Sequence, residues 1–549
     1  MTAGDNNVEA VHRPPAYTQH TPSIHSTKMS PDGSGWSPAH RRRSSATVKT
    51  DSPGHARHSS TISDITVVSP AEAAAQFTNS STPPLTIAII TYGSRGDVQP
   101  YLALAKTLLS HKHTPVLFTH PKYQSLIEEA GVEFVSIGGD EGTEELYAHM
   151  VKYGLSGWKT LGWMGGGEYR KYYDEMWEGA WSGLIHSKHR WSFLLTHHLL
   201  LLGPHLAEKL DLPHISIQHF PVHSTPLLPA PFLESTSYIA NNRITRLLNK
   251  LSFRCFAYGN VWQHGDAINA FRVRRLGMRP LGVREMWHIM CGYEKRAGRS
   301  MYPMSPTLWP LTFKKGMDVV LTGHWDTPVD PDYEPSENIK ALLAKASDRG
   351  EEVVYLGFGS MPYLDPEHQL HELITCIREV AKPMIVGIGK EYIQNPSITS
   401  FRDSHEGADV VFVESIPHGW LFPREEIGCI VHHGGSGTTH AAICAQKPSL
   451  IVPHFGDQFA NGGMLRALKL GWGVPKGTTG RALAKEVERV MTEEGVREQC
   501  AVVGAKVKGE DGCTKAVGEI EEEWAKWMHE REGKRRVSFG GWARGYDAV

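Results

Sequence analysis

The chain has 549 residues, too many for one hydrophobic core, so two globular domains plus extensions are expected. Lysine and arginine (57) nearly balance aspartate and glutamate (59), which excludes a global field that would draw the chain to nucleic acid or to an anionic surface. Seven cysteines, with no C-x-x-C pair and no spaced metal-ligand set, read as buried thiols in a reducing compartment rather than as a disulfide frame or a metal centre.

The opening residues MTAGDNNVEAVHRPP lack the apolar run of a secretory signal. The most apolar later run, Trp191 to Leu202, is too short to span a bilayer and holds His197 and His198, so a cytoplasmic protein is expected. Residues 1–84 are rich in Ser, Thr, Pro and His, with only Tyr17, Trp36 and Phe77 as aromatics, and they predict a disordered extension that cannot bury enough surface to offset its ordering entropy. Within it Arg41, Arg42 and Arg43 precede Ser44 and Ser45, a pattern for a basophilic kinase or simply solvated charge.

Order begins at Leu85. LTIAIIT (85–91) has buried-strand length, GSRGD (93–97) is a turn, and the next stretch shows helical spacing at Leu102, Ala105, Leu108 and Leu109. TPVLFTH and VEFVSIG follow as strands with a helix between them, which predicts a doubly wound parallel sheet. Tryptophans at 158, 163, 177, 181 and 191, with tyrosines at 169, 172 and 173, are either core or the wall of a cleft for a flat apolar ligand. After HISIQHFP, a Pro-rich loop and a long helical stretch from Asn242, DVVLTGHW (318–325) closes a first domain, 85–325. Residues 326–349, with prolines at 328, 331 and 335, predict a linker.

A second domain, 350–512, restarts the pattern with EEVVYLGFGS (351–360). An apolar run from Ile427 to Val431 leads into HHGGSGTT, a helical stretch, a second apolar run and the loop HFGDQ. Ile520, Trp524, Trp527 and Met528 predict an amphipathic C-terminal helix, 513–531, that docks back on the first domain, and 532–549 reads as a loose tail.

Glycines in HHGGSGTT let the backbone approach a bulky anion, the following helix supplies unpaired N–H groups, and Ser436 and Thr438 add hydroxyls beside Gly435 and Gly437. His432 or His433 adds a donor where a leaving diphosphate develops charge. The plain alternative is a tight turn with capping hydroxyls. Neither a P-loop nor G-x-G-x-x-G stands at this site, which disfavours an ATPase and a simple dinucleotide enzyme. Ser360 in GFGS ends the first strand of the same domain and is expected near the same phosphates. Asp457 and Gln458 suit a polyhydroxylated guest, because one accepts hydroxyl protons and the other both gives and accepts. Asp97 is either a helix N-cap or, facing a phosphate site across a cleft, a base for an acceptor hydroxyl, with Arg95 to hold it.

These segments resemble UDP-sugar glycosyltransferases of GT-B architecture, and among them the sterol 3β-glucosyltransferases of fungi and plants. The similarity is carried by GSRGDVQPYLALAKTLL (93–109), GPHLAEKLDLP (203–213), INAFRVRRLG (268–277), LTGHW (321–325), VYLGFGSMP (354–362), IPHGWLFPR, HHGGSGTT and PHFGDQF, in order. The resemblance implies an α/β fold of two Rossmann-like doubly wound domains facing a cleft. It implies that Ser360, His432, His433 and Gly435 to Thr438 bind the diphosphate of UDP, Asp457 and Gln458 the sugar, and Ile416 to Trp420 the uridine edge. Asp97 is then the general base of an inverting, metal-independent transfer of a hexose, with UDP-glucose leading, to a hydroxyl of a sterol. Phe459, Ala460 and Asn461 stand where that family usually has a Trp, which leaves the hexose open. No cofactor beyond the UDP-sugar co-substrate, no metal and no nucleic acid are implied; a sterol acceptor implies a transient membrane-surface contact. A terpenoid or other apolar metabolite is the alternative acceptor, and a noncatalytic nucleotide-sugar or lipid sensor and a sugar-nucleotide epimerase are the rival classes.

Overall fold

The computed structural model describes residues 82–154, 158–164, 166–230, 233–235, 242–292, 298–326, 329, 332–359, 365–404 and 409–543. The expected disordered extension, with its Arg41 to Ser45 pattern, falls up to residue 81 outside the described residues, and so does Ser360.

Apolar runs of strand length form two parallel sheets. The first joins β1 (Thr86–Ile90), β2 (Thr114–Thr119), β3 (Glu133–Ser136), β4 (Phe193–His197), β5 (His214–Ile217), β6 (Arg299–Tyr302) and β7 (Val319–Leu321) in the order β3-β2-β1-β4-β5-β6-β7. The second joins β8 (Val353–Gly357), β9 (Met384–Gly387), β10 (Val410–Val413), β11 (Ile427–His432), β12 (Ser449–Ile451) and β13 (Gly471–Gly473) in the order β10-β9-β8-β11-β12-β13. Every pairing is parallel. β1 shows why its residues need cover on both faces: Ile87 and Ile89 enter one core cluster and Ala88 and Ile90 another, as the period of two requires. In each sheet the chain reverses its direction of growth once, between β1 and β4 and between β8 and β11. Such switch points open a crevice at the carboxyl ends of the strands.

The helices that bear on the site are α1 (Arg95–Ser110), α2 (Asp140–Tyr153), α3 (Gly167–Ile185), α4 (Arg243–Arg274), α5 (Glu337–Arg349), α6 (Ser436–Cys444), α7 (Gln458–Ala467) and α8 (Gly512–Ala543). Two expected boundaries are corrected. The second half of the expected linker 326–349 is α5, whose Ile339, Leu342, Leu343 and Ala346 are buried with Val353, Tyr355 and Ile385; a helix with that apolar face covers the second sheet rather than bridging domains. The C-terminal helix starts at Gly512 and runs to Ala543, into the stretch expected as a tail. Its Ala516, Val517 and Ile520 pack with Tyr101, Leu104 and Leu108 of α1, and Glu519 pairs with Arg299 at 2.6 Å, so the helix that follows the second domain lies on the first.

Candidate active site

The first half of the site is built where β1 meets α1. Gly93 has φ +121°, and a side chain there would meet Asp97 Oδ2 at 2.5 Å, so the turn needs glycine both for its backbone and for the room it leaves. Ser94 is the N-cap of α1 and Asp97 stands at its third position. The carboxylate therefore closes a capping box instead of being the cap itself, the position it has in the plain reading of the sequence. Asp97 Oδ2 accepts from Ser94 N–H (2.7 Å), Ser94 Oγ (2.8 Å) and, from α2, Tyr147 OH (2.7 Å). Among the described residues nothing bonds to Oδ1, and no ion pair ties Arg95 to Asp97; a serine and a tyrosine do the holding expected of the arginine.

Behind this turn His120 Nε2 accepts from Gly93 N–H at 3.1 Å while Nδ1 lies 2.6 Å from Gly138 O, so the proton sits on Nδ1. Burial lowers the pKa of His120, which keeps the ring neutral for that acceptor role. His219 also lines the site; burial pushes it down to about 4, and its Nε2 has no partner among the described residues.

The second half is built where β11 meets α6. His432 is fully buried and outside the cleft lining: its Nδ1 accepts from Gly434 N–H at 3.1 Å, so it braces the turn from below. His433 lines the cleft instead, against Gly359, and burial pushes it down to about 3. Gly434 has φ +94°, and a side chain there would meet Ile451 Cγ2 at 2.6 Å. Gly435 caps α6, whose first intrahelical bond is Thr439 N–H to Gly435 O; the N–H groups of Ser436, Gly437 and Thr438 therefore have no acceptor within the helix. Such an end attracts an anion.

The loop after β12 leads into α7. Asp457 is its N-cap, and its carboxyl is pushed up to about 7, first by burial and then by the negative charge of Asp97. That second cause places the two carboxyls within electrostatic reach across the domains. Gln458 Oε1 accepts from His454 N–H (2.7 Å) and Phe455 N–H (3.3 Å), so its acceptor end is committed to the loop. Asn461 Nδ2 donates to Gly434 O at 2.8 Å and clamps the Gly-rich turn to α7, a role invisible in the sequence. Phe455 packs into the first domain's core, 5.9 Å from the Tyr147 ring.

Asp97, Tyr147, His433, Gly435 to Thr438, Asp457 and Gln458 all line one cleft of about 1610 Å³. One ligand usually fills a few hundred to about 1,000 Å³, so this volume suits two substrates. Ile416 to Gly419 line it too, whereas Trp420 sits outside the lining, with Tyr333 and the Arg424 guanidinium on its ring. The aromatic stretch divides along the length of α3, on which Tyr169, Tyr173 and Trp177 share one buried face at i, i+4 and i+8. Trp177 is core and donates to Leu200 O at 2.9 Å, whereas Tyr169 and Tyr173 line the cleft beside Tyr92.

Among the described residues one cluster has metal-ligand chemistry. Ligand atoms of His324, Asp326 and His440 lie within 4.8 Å of one another. Each Asp326 oxygen already meets an imidazole, Oδ2 with His440 Nε2 at 3.0 Å and Oδ1 with His324 Nδ1 at 3.1 Å. Burial pulls His440 down, but the Asp326 bond outweighs it and raises the ring to about 10. A protonated His440 bound to a carboxylate is satisfied as an ion pair, and its Nε2 proton occupies the lone pair that a metal needs.

Two solved structures share this architecture over their whole length. The chain aligns with a glycotransferase of kitacinnamycin at TM-score 0.55 and 17% identity, covering 80% of this chain and 99% of that one. It aligns with a calicheamicin glycosyltransferase at TM-score 0.55 and 16% identity, over 81% and 99%. The fold is GT-B. Within this GT-B chain, residues 87–162 match the family model "Glycosyltransferase family 28 N-terminal domain" and 399–522 match "Erythromycin biosynthesis protein CIII-like, C-terminal domain". Among curated proteins it is similar to a sterol 3-beta-glucosyltransferase of Pichia angusta, 28% identical over 433 residues, and to one of Gibberella zeae, 29% identical over 466. Those matches cover 79% and 83% of this chain but 33% and 30% of the relatives, so the GT-B chain spans about a third of the length of the curated relatives it matches. Among the described residues no helix is long and apolar enough to cross a membrane.

Proposed function

We propose that the protein is an inverting UDP-glycosyltransferase that moves a hexose, with glucose leading, from a UDP-sugar to a hydroxyl of a sterol. One observation carries the reading: Asp97 lines the same cleft as the N-terminus of α6, and among the described residues its Oδ1 and the N–H groups of Ser436, Gly437 and Thr438 have no partner. Asp97 Oδ1 takes the proton of the acceptor hydroxyl as its oxygen attacks the anomeric carbon. The bond from that carbon to the diphosphate breaks on the opposite face, and UDP leaves with the electron pair. The N–H groups of Ser436, Gly437 and Thr438 take up the charge that grows on the diphosphate, with His433 beside them. His432 supports that turn without touching the phosphates, Asp457 and Gln458 border the sugar, and Ser360 remains a diphosphate candidate from its motif.

The acceptor class follows from the sterol glucosyltransferase relatives and from the Tyr92, Tyr169 and Tyr173 wall, which suits a flat apolar ring system better than a second sugar. An acceptor of that kind resides in bilayers, so the reading includes a transient encounter with a membrane surface. UDP release, measured for the wild type and Asp97→Asn with a panel of UDP-sugars, sterols and terpenoids, tests it. Turnover on sterols that Asp97→Asn abolishes is expected. UDP-glucose binding without turnover on any acceptor would overturn the enzyme in favour of a sensor, and consumption of a UDP-sugar without acceptor would overturn it in favour of an epimerase.

A further inference from the structure

Helix α4 has two faces with opposite surroundings. Phe256, Asn260 and His264 line the cleft that holds Asp97. At about 100° per residue, Ile244, Leu247, Leu248, Leu251, Tyr258 and Trp262 fall within an arc of roughly 100° on the other side. All six are exposed, Trp262 at 82%, Ile244 at 73% and Leu247 at 67%. The stripe spans 19 residues, about 27 Å of helix, far beyond the single exposed apolar side chains that need no explanation. Arg243, Arg246, Lys250 and Arg254 are exposed beside it, and no acidic residue occurs between Asn242 and Gly265. The chain as a whole carries a formal charge of −2, so this basic flank is a local feature.

We infer that the outward face of α4 docks on an anionic lipid bilayer, with the helix lying in the interfacial plane. The inference deepens the proposed function and rests on it only for the purpose of the contact. A helix with an apolar stripe, a basic flank and aromatic residues at one end has the chemistry of an interfacial segment: the stripe enters the acyl boundary and the cations meet anionic headgroups. A second copy of the chain fits less well, because an antiparallel two-fold pairing of this face would set one row of four cations against its equivalent. The consequence is geometric. One helix, about 10–12 Å thick, would separate lipid from the cleft, so an apolar acceptor leaving the bilayer has a short path to Asp97.

Co-sedimentation of the full chain with phosphatidylcholine vesicles, with and without phosphatidylserine, tests the docking surface without donor or acceptor present. Binding that strengthens with phosphatidylserine is expected. Leu247→Glu/Leu251→Glu should weaken it at least about tenfold. Lys250→Gln/Arg254→Gln should weaken it by about fivefold for each charge removed, and only on the anionic vesicles. UDP release from a detergent-dispersed acceptor should not change in either variant, which also shows that they fold. Wild type that ignores both kinds of vesicle, or a Leu247→Glu/Leu251→Glu variant that binds like wild type, would overturn the inference. So would a wild-type dimer that this variant converts to monomer. A Trp262 contribution, taken as the difference from Trp262→Phe, that is shielded from acrylamide before vesicles are added would assign the face to another part of this chain. Lost vesicle binding with retained UDP release sinks only the docking surface; vesicle binding without UDP release on any acceptor sinks only the glycosyl transfer.

Discussion

The two switch-point turns have the same topology and opposite chemistry. After β1, the turn Gly93 to Asp97 presents a carboxylate that other side chains have anchored at one oxygen. After β11, the turn His433 to Thr438 presents backbone N–H groups and the positive end of α6. Parallel α/β construction produces a crevice at each sheet, and what the loop offers there decides the chemistry. In the proposed function one crevice takes a proton and the other receives negative charge. A displacement needs both at once, at opposite ends of the bond that is exchanged.

The sharpest way to break this comparison is to remove the proposed proton acceptor. Asp97→Asn keeps the size and most of the hydrogen-bonding shape, and it should lower turnover by about 10²- to 10⁴-fold. The affinity for UDP-glucose, measured by calorimetry, should stay within a few-fold of wild type, because the diphosphate side is untouched. If binding is lost along with turnover, the division of labour between the turns is wrong.

The second break is on the other side. Gly434→Ala forces a side chain onto a backbone at φ +94° and against Ile451. That strain, about 1–3 kcal/mol, corresponds to roughly 5- to 100-fold weaker UDP binding if the turn is the diphosphate cradle. Unchanged UDP affinity, with a lowered Tm to show that the strain is present, would take the diphosphate away from this turn.

How far the sequence reveals these two turns differs as well. The strands were legible because buried parallel strands are nearly continuous apolar runs, as in LTIAIIT and EEVVYLG. The Gly-rich turn was legible because its hydroxyls, glycines and helix are consecutive. The anchoring of Asp97 was not, since Tyr147 lies 50 residues downstream on another helix and nothing local marks a tyrosine that will donate to a distant carboxylate. The same applies to Asn461 holding Gly434, which depends on how α7 is packed and not on any spacing. His432 misled for the opposite reason: adjacent histidines at a strand end alternate between buried and open sides, so only one of His432 and His433 can face the cleft. The linker estimate failed because prolines at 328, 331 and 335 precede a helix that the second sheet requires for cover.

Tyr147→Phe sharpens the comparison by testing whether the anchor matters as much as the base. A hydrogen bond to a charged group contributes about 1.5–3 kcal/mol, and part of that appears as lost orientation. Turnover should fall about tenfold, with the KM for the donor unchanged. In the Asp97→Asn background the same substitution should cost almost nothing more, because the two residues act as one unit. A full additional loss would mean that Tyr147 serves the site by another route, such as its contact with Phe455.

The smallest expected effect links the two turns directly. In the free protein burial first, and then the charge of Asp97, pushes the Asp457 carboxyl up to about 7. The carboxyl therefore loses its proton across the range between pH 6 and pH 8. If Asp457 borders the sugar as proposed, its ionised form accepts hydrogen bonds from the hydroxyls, so UDP-glucose should bind a few-fold tighter at pH 8 than at pH 6, relative to UDP alone, which carries no hexose and corrects for titration of the diphosphate. Asp457→Asn should flatten that ratio. Asp97→Asn should instead move its inflection to lower pH, since removing the neighbouring negative charge makes ionisation of Asp457 easier. The inflection should still stay above the ordinary carboxylate range, because burial is the larger cause and is untouched. A ratio that keeps its inflection in Asp97→Asn would mean that the two carboxyls do not sense each other, and the cleft between the sheets would then be too wide for a single displacement to use both.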